Sequence, residues 1–239
     1  MQITELATSD ATVYARSIVD DSPERFAAQM REASSAIVAT YGAVAAEGAA
    51  LFYETQRPRP GSARVAPPAV GDELASSLGF AFLPMFKPEG YPDPVGSLLS
   101  GVAGVIQKFV AAGDRDTLAL SAENDALSGG VSRYARANAC AFCRLLSVSE
   151  ADVSRDTVWH ENCHCVTVPW WEDNPLPTDP NAAGWRNAAE ASRAELLRLQ
   201  RELKPDGMRW RNFFKERPDL AVTNRNIARL MRKRLGISH

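Results

Sequence analysis

The chain has 239 residues, 45% of them hydrophobic and 23% charged, with a net charge of -2. That is enough apolar content for one large domain or two small ones, and it excludes a wholly disordered chain. No uninterrupted apolar run approaches the roughly 20 residues that cross a bilayer. Met1-Gln2-Ile3-Thr4-Glu5 lacks the character of a secretory leader, so the expectation is assembly in a reducing cytoplasm with no membrane contact.

Residues 1–20 are mixed, with Ile3, Leu6, Val13, Ile18 and Val19 suited to one or two helical turns. Ser22-Pro23-Glu24 is a helix start: a capping hydroxyl, a proline whose φ is preset, and an acid at the positive end of the dipole. From Phe26 the apolar residues recur every three or four positions through Met30, Ile37, Tyr41, Val44 and Leu51. This predicts one long helix over 23–56, ending before Pro58. Pro58, Pro60, Gly61, Pro67 and Pro68 make 57–70 a loop, followed by a short helix over 71–79. Five proline and glycine positions between 84 and 94 predict extended or turn structure. A helix from Val95 to Val110 is expected to end at Gly113, with a second one over 114–124 capped by Asp114. Val131–Arg136, Thr157–His160 and Cys165–Trp171 have strand character, and Cys143–Leu146 suits a helical turn. Asp173–Pro180 holds three prolines and reads as a linker. Beyond it Trp185, Ala189, Ser192, Leu196, Leu199 and Leu203 form a regular helical seam stopped by Lys204-Pro205-Asp206-Gly207. Two further helices are expected over Met208–Glu216 and about 220–235.

Charge divides the chain. Residues 1–180 have a balance of -10 and residues 181–239 a balance of +8. A basic tail on an acidic body suits an anionic partner, nucleic acid or protein; the competing reading is that the tail folds back on the body.

All four cysteines and two of the three histidines lie between Cys140 and Cys165. Cys140-Ala141-Phe142-Cys143 can aim two sulfurs at one point. His160-Glu161-Asn162-Cys163-His164-Cys165 brings back more zinc-type ligands from a distance. In an extended 163–165, Cys163 and Cys165 share a face and His164 takes the other. The ligand set read from spacing is Cys140, Cys143, His160 and one of Cys163 or Cys165. Four protein ligands leave no place for a reacting water, which points to structural Zn2+. Compartment and clustering argue against a disulfide, a redox Cys-x-x-Cys needs no second Cys/His group, and a Cys–His nucleophile leaves three more thiols unexplained. Phosphate-loop, serine-hydrolase, zinc-protease and dinucleotide motifs are absent from the sequence. A Ser–Lys dyad using Lys87 or Lys108 has nothing pointing to it. A DNA-binding zinc module would use Arg133, Arg136 and Arg144 on phosphates. No catalytic residue is assigned.

The pattern Cys140, Cys143, His160, Cys163, Cys165 resembles the Mu F-like minor head proteins of tailed bacteriophages, in the form found in phages of actinobacteria. Glu161 stands where that family usually has proline, and His164 where it usually has arginine. Tyr41–Ala46, Leu51–Glu54, Gly113–Thr117 and the valine-rich Val166–Pro169 extend the likeness over about residues 40–170. The resemblance implies all five residues as zinc ligands, with His164 a bystander. It implies a virion component inside the capsid head, made in the host cytoplasm and associated with the portal protein. Scaffold or major capsid protein is a further expected partner, and the basic tail, by its charge, is expected to meet packaged DNA or acidic partner surfaces. The role implied is structural, in procapsid assembly and DNA packaging or delivery. Some relatives are described as capsid maturation proteases, often with a fused protease domain, and none is visible here; a protease or a head-delivered effector is the alternative. The expected fold is mainly α (α+β): a helical bundle in a head domain over 1–172, a zinc-stapled β insert at about 130–172, a linker over 173–180 and a basic helical tail over 181–239.

Overall fold

The first helix, α1 (Ile3–Ser17), carries Ala7, Ala11 and Ala15, all fully buried. It is longer than the one or two turns expected, because its contact face is alanine, which bulky-residue periodicity does not register. The computed structural model describes residues 3–68, 71–136, 139–149, 152–154, 157, 159, 163, 165–176 and 179–237. Among these it is mainly helical, with one small antiparallel sheet of two strands.

Helix α2 (Pro23–Gln56) starts as its sequence dictates: the Arg25 amide donates to Ser22 Oγ at 3.4 Å, and Pro23 fills the first turn. Two shorter helices follow, α3 (Asp72–Ala81) and α4 (Leu83–Phe86), then a 3-10 turn at Pro88–Gly90. The segment 84–94 is therefore more helical than expected. Pro84, Pro88 and Pro94 sit in first turns, where no backbone N–H is required. Asp93 caps α5 (Pro94–Glu123), accepting the Gly96 amide at 2.9 Å.

Helix α5 does not stop at Gly113, which corrects the expectation of two helices. A Cβ on Gly113 would collide with the Gly42 carbonyl oxygen of α2, and one on Gly42 would strike the Pro68 ring. These glycines mark a close helix crossing rather than a helix end. Around it Phe26, Met30, Leu78, Phe82, Val102 and Ile106 form the core, with Phe26 and Phe82 edge to face at 5.6 Å. By length and composition α2 and α5 are each apolar enough to cross a membrane. The expectation counted only uninterrupted apolar residues and missed stretches rich in alanine and glycine. Both helices supply core residues here.

The chain after α2 is strapped along α5. The Arg64 and Ala66 amides donate to Ser121 Oγ and Thr117 Oγ1, each at 2.9 Å. Those hydroxyls donate in turn to the Arg64 and Ala66 carbonyls at 3.3 and 3.4 Å. Hydroxyls one helical turn apart thus pair with alternate residues of an extended segment. At the end of α5, Asp125 accepts from Arg57 at 2.6 and 2.8 Å, from Tyr53 Oη at 3.2 Å and from Trp171 Nε1 at 3.3 Å.

Strand β1 (Ser128–Ala135) pairs with β2 (Cys165–Trp171). Along β2, Cys165, Thr167, Pro169 and Trp171 are buried and the residues between them are less so, the period-two pattern of a strand. Thr157 and Trp159 lie outside any strand, with the Trp159 ring 3.9 Å from the Arg115 guanidinium carbon; Val158 and His160 are outside the described residues.

The chain forms two compact units. One comprises Met1–Val131, Ser154–Asn162 and Pro169–Pro175, the other Ser132–Val153, Cys163–Val168 and Leu176–His239. The second holds α6 (Ala141–Ser149), α7 (Ala182–Leu203), α8 (Trp210–Glu216) and α9 (Asn224–Arg234). Helices α6, α7 and α9 pack pairwise and bury Leu145, Trp185, Leu196, Ile227 and Met231. Two buried polar side chains of this unit are satisfied: Gln200 donates to the Leu220 carbonyl at 2.6 Å, and Asn226 to the Pro218 and Ala221 carbonyls at 2.8 and 2.9 Å. The α7 seam is shorter than its spacing suggests. Trp185, Ser192 and Leu196 are buried, Gln200 takes the last inward place, and Leu203 is exposed.

Candidate metal centre

The cysteines are carried by two local structures. Cys140 immediately precedes α6, and its Sγ accepts the Cys143 amide at 3.5 Å, as a capping oxygen would. That turn places Cys143 inside the first turn of α6. Cys165 opens β2, and Cys163 lies two residues before it, so an extended chain presents both thiols on one side.

The structure brings Cys143, Cys163 and Cys165 together. Their sulfurs lie within 4.8 Å of one another, and the Cys143 and Cys163 sulfurs are 3.6 Å apart. All three are buried, at 1%, 5% and 7% exposure. Zn–S bonds of about 2.3 Å in a tetrahedron require sulfurs roughly 3.8 Å apart. The cluster has that scale and the right donor chemistry, so these residues fit a metal ion. It does not fit a disulfide, whose sulfurs stand about 2.05 Å apart, and all four cysteines are free thiols.

Of the five expected ligands, Cys143, Cys163 and Cys165 therefore converge, and Cys140 adjoins them through its contact with Cys143. His160 and the expected bystander His164 lie outside the described residues. The spacing argument chose between Cys163 and Cys165, whereas the fold sets both beside Cys143.

Crowding governs the thiol acidity. Hydrogen bonds from Cys140, Cys163 and Cys165, with burial, push the Cys143 thiol far above its ordinary value. The Cys165 thiol is also raised, to about 12: its bond with Cys143 favours ionisation, but the Cys163 contact and burial outweigh it. Thiols so placed keep their protons until a cation replaces them, and ligation by thiolates requires their loss.

Arg133 on β1 is only 4% exposed, and its charge favours the ionised form of Cys165. A buried arginine beside thiolates offsets their negative charge, a role that its place in a strand-like run did not suggest. Arg144 donates to the Ala139 carbonyl at 2.9 Å and lies over the Trp185 ring at 5.5 Å. Two of the three arginines expected to meet phosphates in a DNA-binding zinc module are thus turned inward. Lys108, one partner of the hypothetical Ser–Lys dyad, pairs with Glu73 at 3.1 Å.

No curated protein and no solved structure matches the chain. The family model described as VG15 protein matches residues 1–189, and the chain belongs to that family, a family of phage proteins.

Proposed function

We propose that this phage protein is a structural component of the virion, a Mu F-like minor capsid protein of a tailed phage. It would associate with the portal protein inside the head, together with scaffold or major capsid protein, and act in procapsid assembly and DNA packaging or delivery. The match of residues 1–189 to a phage protein family carries this reading, and the buried thiol cluster of Cys143, Cys163 and Cys165 supports it by joining three of the five residues that the Mu F-like resemblance names. With Cys140 or His160 as a further donor, the shell would be closed by protein and would leave no coordination place for a reacting water. Such a site suits structural zinc.

Zinc, when bound, supplies folding free energy, roughly 10–16 kcal/mol in sites of this type. The protein's own contribution is the α6 turn and the start of β2, which hold the donors. Phe80, Leu83 and Phe86 are exposed at 72%, 37% and 46% along α3 and α4, an apolar surface suited to docking in an assembly.

Two measurements test the reading. Elemental mass spectrometry on the reduced, natively purified protein should find one zinc per chain, lost in Cys143→Ser and Cys163→Ser. Co-sedimentation with procapsids assembled from portal, scaffold and major capsid protein should retain the wild type. Absence of zinc would remove the metal. Reproducible cleavage of scaffold or capsid subunits, abolished by one Ser, Cys or Asp substitution, would replace the structural role with a protease.

A further inference from the structure

Helix α9 contains Arg225, Arg229, Arg232, Lys233 and Arg234 and no acidic residue. At 3.6 residues per turn, Arg225, Arg229, Arg232 and Lys233 fall within an arc of about 100°, and all four are exposed. The opposite side of the helix is spent on packing, with Asn226, Ile227, Ala228 and Met231 buried. Arg234 falls outside the arc and pairs with Glu195 of α7. Near the arc, the carboxylate of Asp219 pairs with Arg217 at 3.0 Å. Arg229 takes the Asp219 backbone carbonyl at 2.7 Å.

Cations at the end of a helix complement its dipole, which accounts for Arg232 and Lys233. Arg225 lies in the first turn, just after the Thr223 cap, where a cation is unfavourable. Helix stability therefore does not explain the stripe. Helix α9 also lies wholly beyond residues 1–189, so it is not part of the region that matches the family.

We propose that this stripe binds the phosphate backbone of double-stranded DNA without regard to sequence. Its length, roughly 12 Å from residue 225 to residue 233, faces a duplex carrying one charge per about 1.7 Å of axis. Charge complementarity calls for an anionic partner. The choice of DNA over an acidic protein rests on the chain's being a phage protein, whereas neither zinc nor portal docking is needed for it.

The test uses the full chain and fluorescence anisotropy with two unrelated duplexes of about 30 base pairs, between about 50 and 200 mM salt. Four phosphate contacts predict a slope of log K against log salt of roughly -3 to -4, a loss of about a hundredfold over that range. The variant R225Q/R229Q/R232Q should bind at least about tenfold more weakly, with a slope near about -1. R225K/R229K/R232K should retain binding and slope, which separates charge from fold. R16Q/R25Q/R59Q, removing equal charge elsewhere, should also retain both. Failure of the wild type to bind, salt-independent binding, or an equal loss in the R16Q/R25Q/R59Q control would overturn the proposal. Preference for a polyglutamate peptide over the duplex would overturn it too, assigning the stripe to an acidic protein. A protein that lacks zinc or fails to join procapsids yet gives the predicted slopes would sink the preceding reading and leave this one standing.

Discussion

Asp125 gathers one guanidinium, one phenol and one indole at the end of α5, and its side chain is only 5% exposed. The Arg57 guanidinium beside it is the main cause that holds its carboxyl well below the usual range; burial opposes this, and the Leu127 amide, Trp171 and Tyr53 add to it. Burial in turn pushes the Tyr53 phenol up to about 12, so it remains a donor to the carboxylate. A carboxyl whose folded value is depressed contributes stability that is fully present above its unfolded value, about 4. That stability is lost as pH falls through the folded value. Asp125→Asn should therefore lower the thermal midpoint at pH 6, and the gap to wild type should narrow below about pH 4. A gap that stays constant down to pH 2 would show that the pair contributes nothing through its charge. None of this was legible in the sequence, because Arg57 and Asp125 belong to separate segments read as a loop and a helix end.

The helices show where a sequence states its own structure and where it does not. The start of α2 was legible because capping is local: Ser22, Pro23 and Glu24 supply it within three residues. The continuity of α5 was not, because the meaning of Gly113 depends on Gly42 in another helix. Gly48 sharpens the contrast, since a Cβ there would meet nothing within 4 Å. Gly113→Val should destabilise the protein by roughly 1–3 kcal/mol through overpacking at the crossing. Gly48→Ala should stabilise it by about 0.5–1 kcal/mol through helix propensity alone. Urea unfolding of both variants measures the difference, and equal effects would contradict the close-crossing account. The candidate metal site was legible to a similar depth. Cysteine spacing named the candidate donors, but which three converge depends on how β2 and α6 are placed, and that is a tertiary property.

At the scale of the molecule, the thiol cluster belongs to the unit that contains α6, α7, α8 and α9. If zinc holds that cluster, its removal acts on one unit first. A chelator should abolish part of the helical circular dichroism signal and leave a thermal transition for the α1–α5 core at an unchanged midpoint. A single transition unaltered by chelator would argue against a metal staple. Chain segments of the two units alternate: the first is interrupted after Val131 and resumes at Ser154 and again at Pro169. At a translation rate of about 5–20 residues per second, a nascent chain holds α1–α5 outside the ribosome for seconds before the last strand residues that complete their unit appear. The cysteines emerge before the helices that bury α6, so nascent chains must protect reduced thiols and an uncovered apolar helix until α7 and α9 have followed.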